Sequence, residues 1–305
     1  MAGTPAAEVE IDAALIQALL QEQHSHLAHL PCVPVEAGWD NVMVRLGDAF
    51  CVRLPRRAAA TGAIANEQAW LPGLAESLPL PIPVPLWTGV PGCGYPWHWS
   101  IIPWLPGEAA DLAPPLDTDA ARLGAFLKAL HTPAPQQAPT NPVRGVPLQQ
   151  RAPQVEQRMR NLESRSPLIT PEMRRMWQAS LAAPIDVEPT WIHGDLHPRN
   201  VLVEDGVFSG IIDWGDIATG DRATDLAAIW MLFEDAQARR LAFSAYGTVS
   251  YATYMRAKGW AIGFGAMLLD VGLEDDPRHA AIGEQTLRRI AAGSRSEERR
   301  VGKEC

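Results

Sequence analysis

The amino-acid sequence predicts an α+β fold with a small, β-rich N-terminal lobe and a larger helical C-terminal lobe. Two hairpin signals and a long helical remainder carry this prediction. In residues 42–55, "VMVRLGDAFCVRLP", alternating apolar runs flank Gly47-Asp48, which is typical of a β-hairpin. Residues 201–213, "VLVEDGVFSGIID", repeat the pattern with a turn at Asp205-Gly206. Outside that hairpin, the second half carries apolar residues mostly at helical spacing.

The N-terminal lobe is expected to contain a helix, the first hairpin, a second helix and extended edge structure. Apolar residues recur at helical spacing in residues 8–30, and residues 62–76 predict a helix that bends or ends near Pro72. Residues 78–96 contain too many prolines for a central strand. They lead into "WSIIPWLPGE", residues 99–108, which predicts a buried strand.

Helix signals dominate the C-terminal lobe. Asp117 is the candidate cap of one helix, and Thr170 with Pro171 predicts the cap and first residue of another. Between them, residues 132–148 carry five prolines and predict a crossing over the surface.

The predicted hinge near residues 102–107 gives an N-terminal lobe of residues 1–102 and a C-terminal lobe of residues 103–294. A cleft between two such lobes is a usual place for a small ligand. Residues 295–305, "RSEERRVGKEC", lack apolar periodicity, and their back-translation resembles a sequencing-adapter oligonucleotide. We expect this tail to be non-native and exclude it from the fold.

Composition indicates a chain with a sizeable core. Apolar residues make up 47% of the 305 residues, and 11 residues are tryptophan. No apolar run approaches the ~20 residues of a membrane span, and the start, "MAGTPAAEVEIDAAL", lacks the features of a signal peptide. We therefore expect a cytoplasmic protein with no membrane partner. The 4 cysteines show no metal-binding spacing, which favours reduced thiols.

The acidic charge balance bears on the kind of partner. A formal net charge of -9 argues against a nucleic-acid partner, because such proteins normally present a basic face. An acidic cleft would suit a cationic small molecule. The same balance would equally serve solubility alone, and the sequence leaves the oligomeric state open.

Two loops carry the clearest chemical pattern. In "WIHGDLHPRNV", residues 191–201, Asp195 follows an apolar pair, and Asn200 stands just before the second hairpin. Asp213 ends that hairpin, which would bring Asn200 and Asp213 side by side. A carboxylate and a carboxamide oxygen suit Mg²⁺, which takes the rest of its shell from water and phosphates. Asp195 would then orient a hydroxyl group and receive its proton.

This division of roles is what phosphoryl transfer requires: one base, two metal ligands and positioning. The alternative is a capped loop in which Asp195 and Asn200 make only local turn bonds. The joint pattern of H-G-D-x-x-x-x-N followed by I-D-W-G-D favours the functional interpretation.

The motifs "HGDLHPRN" and "IIDWGD" closely resemble those of the aminoglycoside phosphotransferase family, relatives of protein kinases. The resemblance covers nearly all of residues 30–292. It implies a protein-kinase-like bilobal fold with a nucleotide-binding N-terminal lobe and a catalytic and substrate-binding C-terminal lobe. It also implies that Asp195 is the catalytic base, that Asn200 and Asp213 hold Mg²⁺, and that ATP or GTP is the donor.

The resemblance gives three neighbouring side chains supporting roles. His193 would support the catalytic loop, and His197 would pack beside it. Asp225 would bond to the backbone near that loop.

The residues expected to bind the nucleotide depart from the family pattern at one position. The family places a lysine on the third strand to hold the α- and β-phosphates, paired with a glutamate on the next helix. The lysines here are Lys128, Lys258 and Lys303, so the resemblance falls on Arg53 and Glu67 instead. A planar guanidinium is not interchangeable with an ammonium group. The alternative is that Arg53 only pairs with a surface carboxylate.

Further positions are assigned to the nucleotide by the same resemblance. Gly38, in "AGWDN", would let the backbone approach the phosphates. In the hinge strand, the C=O of Pro103 and the N–H of Leu105 would hold the adenine, and Ile102 would back the pocket. Proline is tolerable there because only its carbonyl is used. An ordinary buried strand is equally compatible with this sequence.

The acceptor is predicted from the resemblance and the acidic balance to be a hydroxyl group of a small, cationic molecule, an aminoglycoside antibiotic. Asp216, Glu234, Asp235 and Asp270 are candidate substrate residues, although such charge clusters are more often solvated faces. A macrolide or a metabolic alcohol or sugar is the alternative acceptor. A catalytically weak nucleotide-binding module is the alternative from a different class, and the missing lysine argues for it.

Overall fold

A computed structural model describes residues 6–35 and 40–293. The chain divides into two compact units. The first contains the described residues up to Ser77 together with Pro81–Pro106, and the second contains Leu78–Leu80 and the described residues from Gly107 onward. Within these described ranges, no helix is long and apolar enough to cross a membrane.

The first unit is built on a 5-stranded antiparallel sheet with the order β1-β2-β3-β5-β4. The strands are β1 (Cys32–Pro34), β2 (Asn41–Leu46), β3 (Phe50–Pro55), β4 (Trp87–Gly89) and β5 (Trp99–Pro103). The predicted first hairpin is confirmed as β2 and β3, with Gly47 in the left-handed region at a φ of 58°. The proline-rich stretch contributes only the edge strand β4, as predicted, whereas β5 lies between β3 and β4.

The first unit also contains helices α1 (Ala13–Gln23) and α2 (Thr61–Ala75). α1 is shorter than predicted at both ends. The Asp12 carboxylate accepts the N–H of Leu15 at 2.8 Å and caps its start, and His24, with a φ of -140° and a ψ of 52°, leaves the helical conformation after Gln23. α2 keeps Pro72 in its last turn, close to the predicted break.

One face of α1 and the sheet form the core of this unit. Leu19 and Leu20 are buried in one cluster with Val44 of β2, Val52 of β3 and Trp99 of β5. Fully burying one aliphatic side chain of this size contributes about 1.5–3 kcal/mol. The alternating pattern read from the sequence therefore corresponds to a sheet with one face covered by α1.

The second unit is mainly helical. Its strands are β6 (Glu108–Ala109), β7 (Thr190–Ile192), β8 (Val201–Glu204), β9 (Val207–Ile211) and β10 (Ala218–Gly220). Its helices are α3 (Ala120–Leu130), α4 (Leu148–Leu162), α5 (Pro171–Ala182), α6 (Ala223–Leu226), α7 (Ala228–Leu232), α8 (Ala236–Tyr246), α9 (Tyr251–Asp275) and α10 (Pro277–Gly293). The buried helix α9 packs against α4, α5, α6 and α10. A small sheet-based unit and a larger helical unit confirm the predicted α+β class.

The predicted helix starts of this unit have different outcomes. The Thr170 hydroxyl accepts the N–H of Met173 at 3.1 Å and Pro171 opens α5, as predicted. Asp117 is not the cap of α3, because Asp117–Asp119 forms a 3-10 turn and α3 begins only at Ala120. The prediction of Asp117 as a cap is therefore wrong.

Helices α9 and α10 approach so closely that Gly283 has no room for a side chain. A Cβ there would lie 2.4 Å from the backbone nitrogen of Leu269 and 2.6 Å from the carbonyl oxygen of Gly265. We expect Gly283→Ala to lower the free energy of unfolding by about 1–3 kcal/mol in urea denaturation, because the helices must move apart. Gly73→Ala in α2 is the matched control, since its Cβ would meet nothing within 4 Å. The control should gain about 0.5–1 kcal/mol, and equal stabilities would contradict the close packing.

Candidate active site

The His193–Asp195 loop begins where β7 ends and turns sharply at Gly194. Gly194 has a φ of 86°, in the left-handed region. A Cβ at this position would lie 2.8 Å from the carbonyl oxygen of Asp216 and 3.2 Å from the Cβ of Arg144. Glycine is therefore required both by the turn and by the close approach of neighbouring chain segments.

The buried carboxylate of Asp225 anchors this loop. It accepts the N–H of His193 at 2.6 Å and the N–H of Gly194 at 2.9 Å. The Nε2 atom of His131 lies 3.4 Å from the same carboxylate. The expected bonding of Asp225 to the backbone of the catalytic loop is confirmed, and the charge fixes the loop against α6.

His193 joins the two motifs. Its Nδ1 accepts the N–H of Asp195 at 3.3 Å, which leaves Nε2 as the donor to the carbonyl oxygen of Ile212 at 3.0 Å. The ring also packs on Trp214, with centroids 4.7 Å apart. These contacts give His193 a supporting role between the loop and the end of the second hairpin.

The second hairpin brings Asn200 opposite the residue before Asp213. Strands β8 and β9 pair with Val201 opposite Ile211, and the N–H of Ile212 donates to the carbonyl oxygen of Asn200 at 2.9 Å. Asp213 follows directly with a φ of 59°, a conformation that aspartate tolerates better than most residues and that is common at functional sites.

The donor set at this hairpin end fits Mg²⁺. The Asn200 amide nitrogen donates to the carbonyl oxygen of Asp195 at 2.9 Å, so the amide oxygen is the branch available to a hard cation. Among the described residues, no group of three or more His, Cys, Asp or Glu side chains could hold a metal by itself. Mg²⁺ does not need such a cage, because it binds one or two protein oxygens and completes its shell with waters and phosphates.

Both carboxylate oxygens of Asp195 have a cationic or polar neighbour. Oδ1 accepts a hydrogen bond from Nη2 of Arg144 at 2.7 Å, and Oδ2 lies 3.4 Å from Nε2 of His197. Burial favours the protonated acid and would raise the pKa of Asp195. The Arg144 guanidinium, and after it His197 and His193, outweigh burial and lower that pKa well below the usual range of an aspartate. Asp195 is therefore an ionised, weakly basic acceptor.

Asp216 is the second carboxylate near this point. Its Oδ1 accepts a hydrogen bond from the amide nitrogen of Asn141 at 2.6 Å. Burial raises the pKa of Asp216, and the negative charge of Asp195 raises it further, against the opposing effect of Arg144. Two carboxylates thus share the field of one guanidinium.

Sequence reasoning missed Asn141 and Arg144. Residues 132–148 cross the surface as predicted, with most side chains exposed or half-buried, but the part around Arg144 also lies against the His193–Asp195 loop. The N–H of Thr219 donates to the carbonyl oxygen of Pro139 at 2.9 Å, and the Thr224 hydroxyl donates to that of Arg144 at 3.3 Å. The prolines predict an irregular backbone, but no local pattern indicates which residues Asn141 and Arg144 contact.

The other candidate substrate residues have contacts of their own. Asp235 caps α8 by accepting the N–H groups of Gln237 and Ala238. The mostly buried carboxylate of Asp270 accepts hydrogen bonds from Arg158, Arg165 and Asn161. Glu234 is exposed. Asp235 therefore has a role as a helix cap, and Asp270 has a role in joining α9 to residues of α4 and to Arg165.

The predicted nucleotide residues lie in the first unit. Nη2 of Arg53 on β3 is 3.0 Å from Oε1 of Glu67 on α2, and both side chains are buried. Arg53 therefore pairs with the predicted carboxylate, and the alternative of a pairing at the surface is wrong. Ile102 is buried in β5, and Pro103 and Leu105 are half-buried. Gly38 lies outside the described residues.

The chain was compared with family models, curated protein sequences and solved structures. A family model described as "Phosphotransferase enzyme family" matches residues 31–260. No curated protein sequence matches the chain. Among solved structures, the GDP complex of wild-type aminoglycoside 2'-phosphotransferase-IIIa matches with a TM-score of 0.65 at 17% identity, covering 93% of this chain and 100% of that chain.

Two further structures widen the range of relatives. The apoenzyme of macrolide 2'-phosphotransferase MphH from Brachybacterium faecium has a TM-score of 0.56 at 22% identity, covering 88% of this chain and 96% of that chain. The gentamicin complex of APH(2")-IIa has a TM-score of 0.56 at 17% identity, covering 92% of this chain and 97% of that chain. These likenesses confirm the predicted protein-kinase-like fold.

The anchor at Asp225 gives a direct test of the loop geometry. Asp225→Asn leaves one acceptor oxygen for two N–H donors and removes the charge. Because a hydrogen bond to a charged group contributes about 1.5–3 kcal/mol, we expect a loss of that size in urea denaturation. Asp205→Asn, in the hairpin turn at a φ of 52°, is the control and should stay within about 0.5 kcal/mol of the parent. An Asp225→Asn variant as stable as the control would contradict the anchoring role.

Proposed function

Because the chain belongs to the phosphotransferase enzyme family and is a nucleotide-dependent small-molecule phosphotransferase, we propose that it moves the γ-phosphoryl group of ATP or GTP to a hydroxyl group of an antibiotic. The observation that carries this proposal is the second hairpin, which brings Asn200 opposite Ile212, next to Asp213, while Asn200 also bonds to the backbone of Asp195.

Asp195 orients the acceptor. An acceptor hydroxyl donates a hydrogen bond to the Asp195 carboxylate, which points its oxygen at the γ-phosphorus. The new oxygen–phosphorus bond forms as the bond to the leaving nucleoside diphosphate breaks, and the hydroxyl proton passes to Asp195. The lowered pKa of Asp195 makes it a weak base. That suits a loose transition state, in which positioning and charge neutralisation carry most of the rate.

The side-chain oxygens of Asn200 and Asp213 would hold Mg²⁺, which supplies charge neutralisation at the donor phosphates when bound. Asn200 is suited to this role because its amide nitrogen is already bonded to the carbonyl oxygen of Asp195.

In the first unit, Arg53 would hold the donor phosphates, and Glu67 would fix its guanidinium. The N–H of Trp104 donates to the carbonyl oxygen of Ala49 at 2.8 Å. Because successive residues of an extended chain direct their polar groups to opposite sides, the carbonyl of Pro103 faces away from β3. This orientation supports its role towards adenine, together with the N–H of Leu105 and the apolar side chain of Ile102. Gly38 keeps its proposed role near the phosphates.

The first candidate acceptor is an aminoglycoside, supported by the net charge of -9 and by Asp216 beside Asp195. A macrolide is the second candidate. The likeness to the apoenzyme structure of macrolide 2'-phosphotransferase MphH supports this candidate.

The function is tested by inhibitory concentrations across antibiotic classes in cells that express the chain. We expect protection against one class and its loss in Asp195→Ala, because removal of a positioned proton acceptor lowers transfer about 10²–10⁴-fold. Asp117→Ala, at an exposed position, should protect like the parent. Full protection by the Asp195→Ala variant would contradict the mechanism.

The nucleotide role of Arg53 is tested by steady-state kinetics. We expect Arg53→Ala to raise the KM for the nucleotide about tenfold or more and to leave the KM for the acceptor unchanged, because a charge-assisted contact to phosphate is lost. Arg53→Lys should recover only part of the affinity, because an ammonium group keeps the charge but not the planar fork of the guanidinium. An unchanged nucleotide KM in the alanine variant would remove Arg53 from the site.

A further inference from the structure

The side chain of Arg144 is held against the carboxylate of Asp195 from two directions. Its Nη2 donates to Oδ1 of Asp195 at 2.7 Å, and its guanidinium carbon lies 4.5 Å from the ring centroid of Phe264 on α9. Only 12% of the Arg144 side chain is exposed. An ion pair with one partner this buried and stacked on an aromatic ring keeps a defined geometry better than a surface pair.

Asn141 fixes the backbone that carries this guanidinium. Its Oδ1 accepts the N–H of Val143 at 2.8 Å and the N–H of Arg144 at 2.9 Å. Its amide nitrogen donates to Oδ1 of Asp216 at 2.6 Å. One side chain therefore ties Arg144 and Asp216 to the same short turn.

The catalytic loop is shaped to receive this turn. The space that a Cβ on Gly194 would occupy is closed by the Cβ of Arg144, at 3.2 Å. The carbonyl oxygen of Arg144 accepts the Thr224 hydroxyl, one residue before the anchoring Asp225. The turn that carries Arg144 and the His193–Asp195 loop are distant in sequence, yet they pack directly against each other.

Without Arg144, the carboxylate of Asp195 would lose its 2.7 Å hydrogen bond. The positive charge that offsets the repulsion between Asp195 and Asp216 would also be gone. The remaining side-chain neighbour of Asp195, Nε2 of His197, is 3.4 Å away on the other oxygen. Rotation towards His197 would then be favoured, and an acceptor hydroxyl would be presented at a different angle. Misplacement of a reacting group by about 1 Å can cost about 10²-fold in rate.

We propose that Arg144 is a positioning residue for phosphoryl transfer. It holds the Asp195 carboxylate in the orientation that accepts the acceptor hydroxyl, and Asn141 holds Arg144. This inference rests on the proposed function, since it needs Asp195 to orient an acceptor.

The test is steady-state kinetics of Arg144→Gln, Arg144→Lys and Arg144→Ala with the acceptor identified for the parent. We expect kcat to fall about 10²-fold in Arg144→Gln, with the KM for the nucleotide unchanged and the KM for the acceptor within a few-fold. Arg144→Lys should recover part of kcat, and low-millimolar guanidinium chloride should raise kcat of Arg144→Ala, whereas choline chloride should not. A general loss of folding cannot produce rescue by a denaturing cation.

The control is Arg278→Gln, which breaks another arginine–aspartate pair of the same unit, with Asp111, and should keep kcat. A parent-like kcat in Arg144→Gln, or a loss confined to the acceptor KM, would overturn the positioning role and leave the function intact. A parent chain that transfers phosphate to no acceptor would overturn both.

Discussion

The candidate site depends on a single buried carboxylate, that of Asp225, which accepts two successive N–H groups of the catalytic loop. This charge is fully buried, so its two donors cannot be replaced by water without a large desolvation cost. The chain turns at Gly194 directly after the first of these N–H groups, and the next side chain, Asp195, is 22% exposed. A loop held in this way can present an ionised group with little freedom to reorganise, which is what phosphoryl transfer asks of its base.

The second constraint is the pairing of β8 with β9. Their register places Asn200 across from Ile212, so the residue that follows, Asp213, belongs to the same end of the hairpin. His193 bonds to the carbonyl oxygen of Ile212, which links this end to the catalytic loop. The candidate base and the two candidate metal ligands are thus linked by backbone hydrogen bonds, by the His193 imidazole and by the bond from the Asn200 amide to the carbonyl oxygen of Asp195.

Local sequence was sufficient where the physical cause is local. Gly47-Asp48 and Asp205-Gly206 mark both hairpins because their turns need positive φ, and Thr170-Pro171 marks a helix start because each residue suits one terminal position. Asp117 failed because a 3-10 turn, Asp117–Asp119, precedes α3, and Asp119 accepts the N–H of Phe208 instead of capping the helix. Arg144 was missed because its partner, Asp195, is distant in sequence, and an arginine in a proline-rich segment carries no periodic signal. The contacts of Asp235 and Asp270 could not be predicted either, because a cluster of acidic residues in the sequence does not indicate which side chains or N–H groups it will bind.

We expect Asn200 and Asp213 to bind a divalent cation together with the donor phosphates. Anomalous scattering from Mn²⁺, in crystals grown with a non-hydrolysable ATP or GTP analogue, locates such a cation directly. We expect an anomalous peak within bonding distance of the Asn200 amide oxygen, the Asp213 carboxylate and phosphate oxygens. A cation bound elsewhere, with both side chains turned away from it, would show that Asn200 and Asp213 are not the metal ligands.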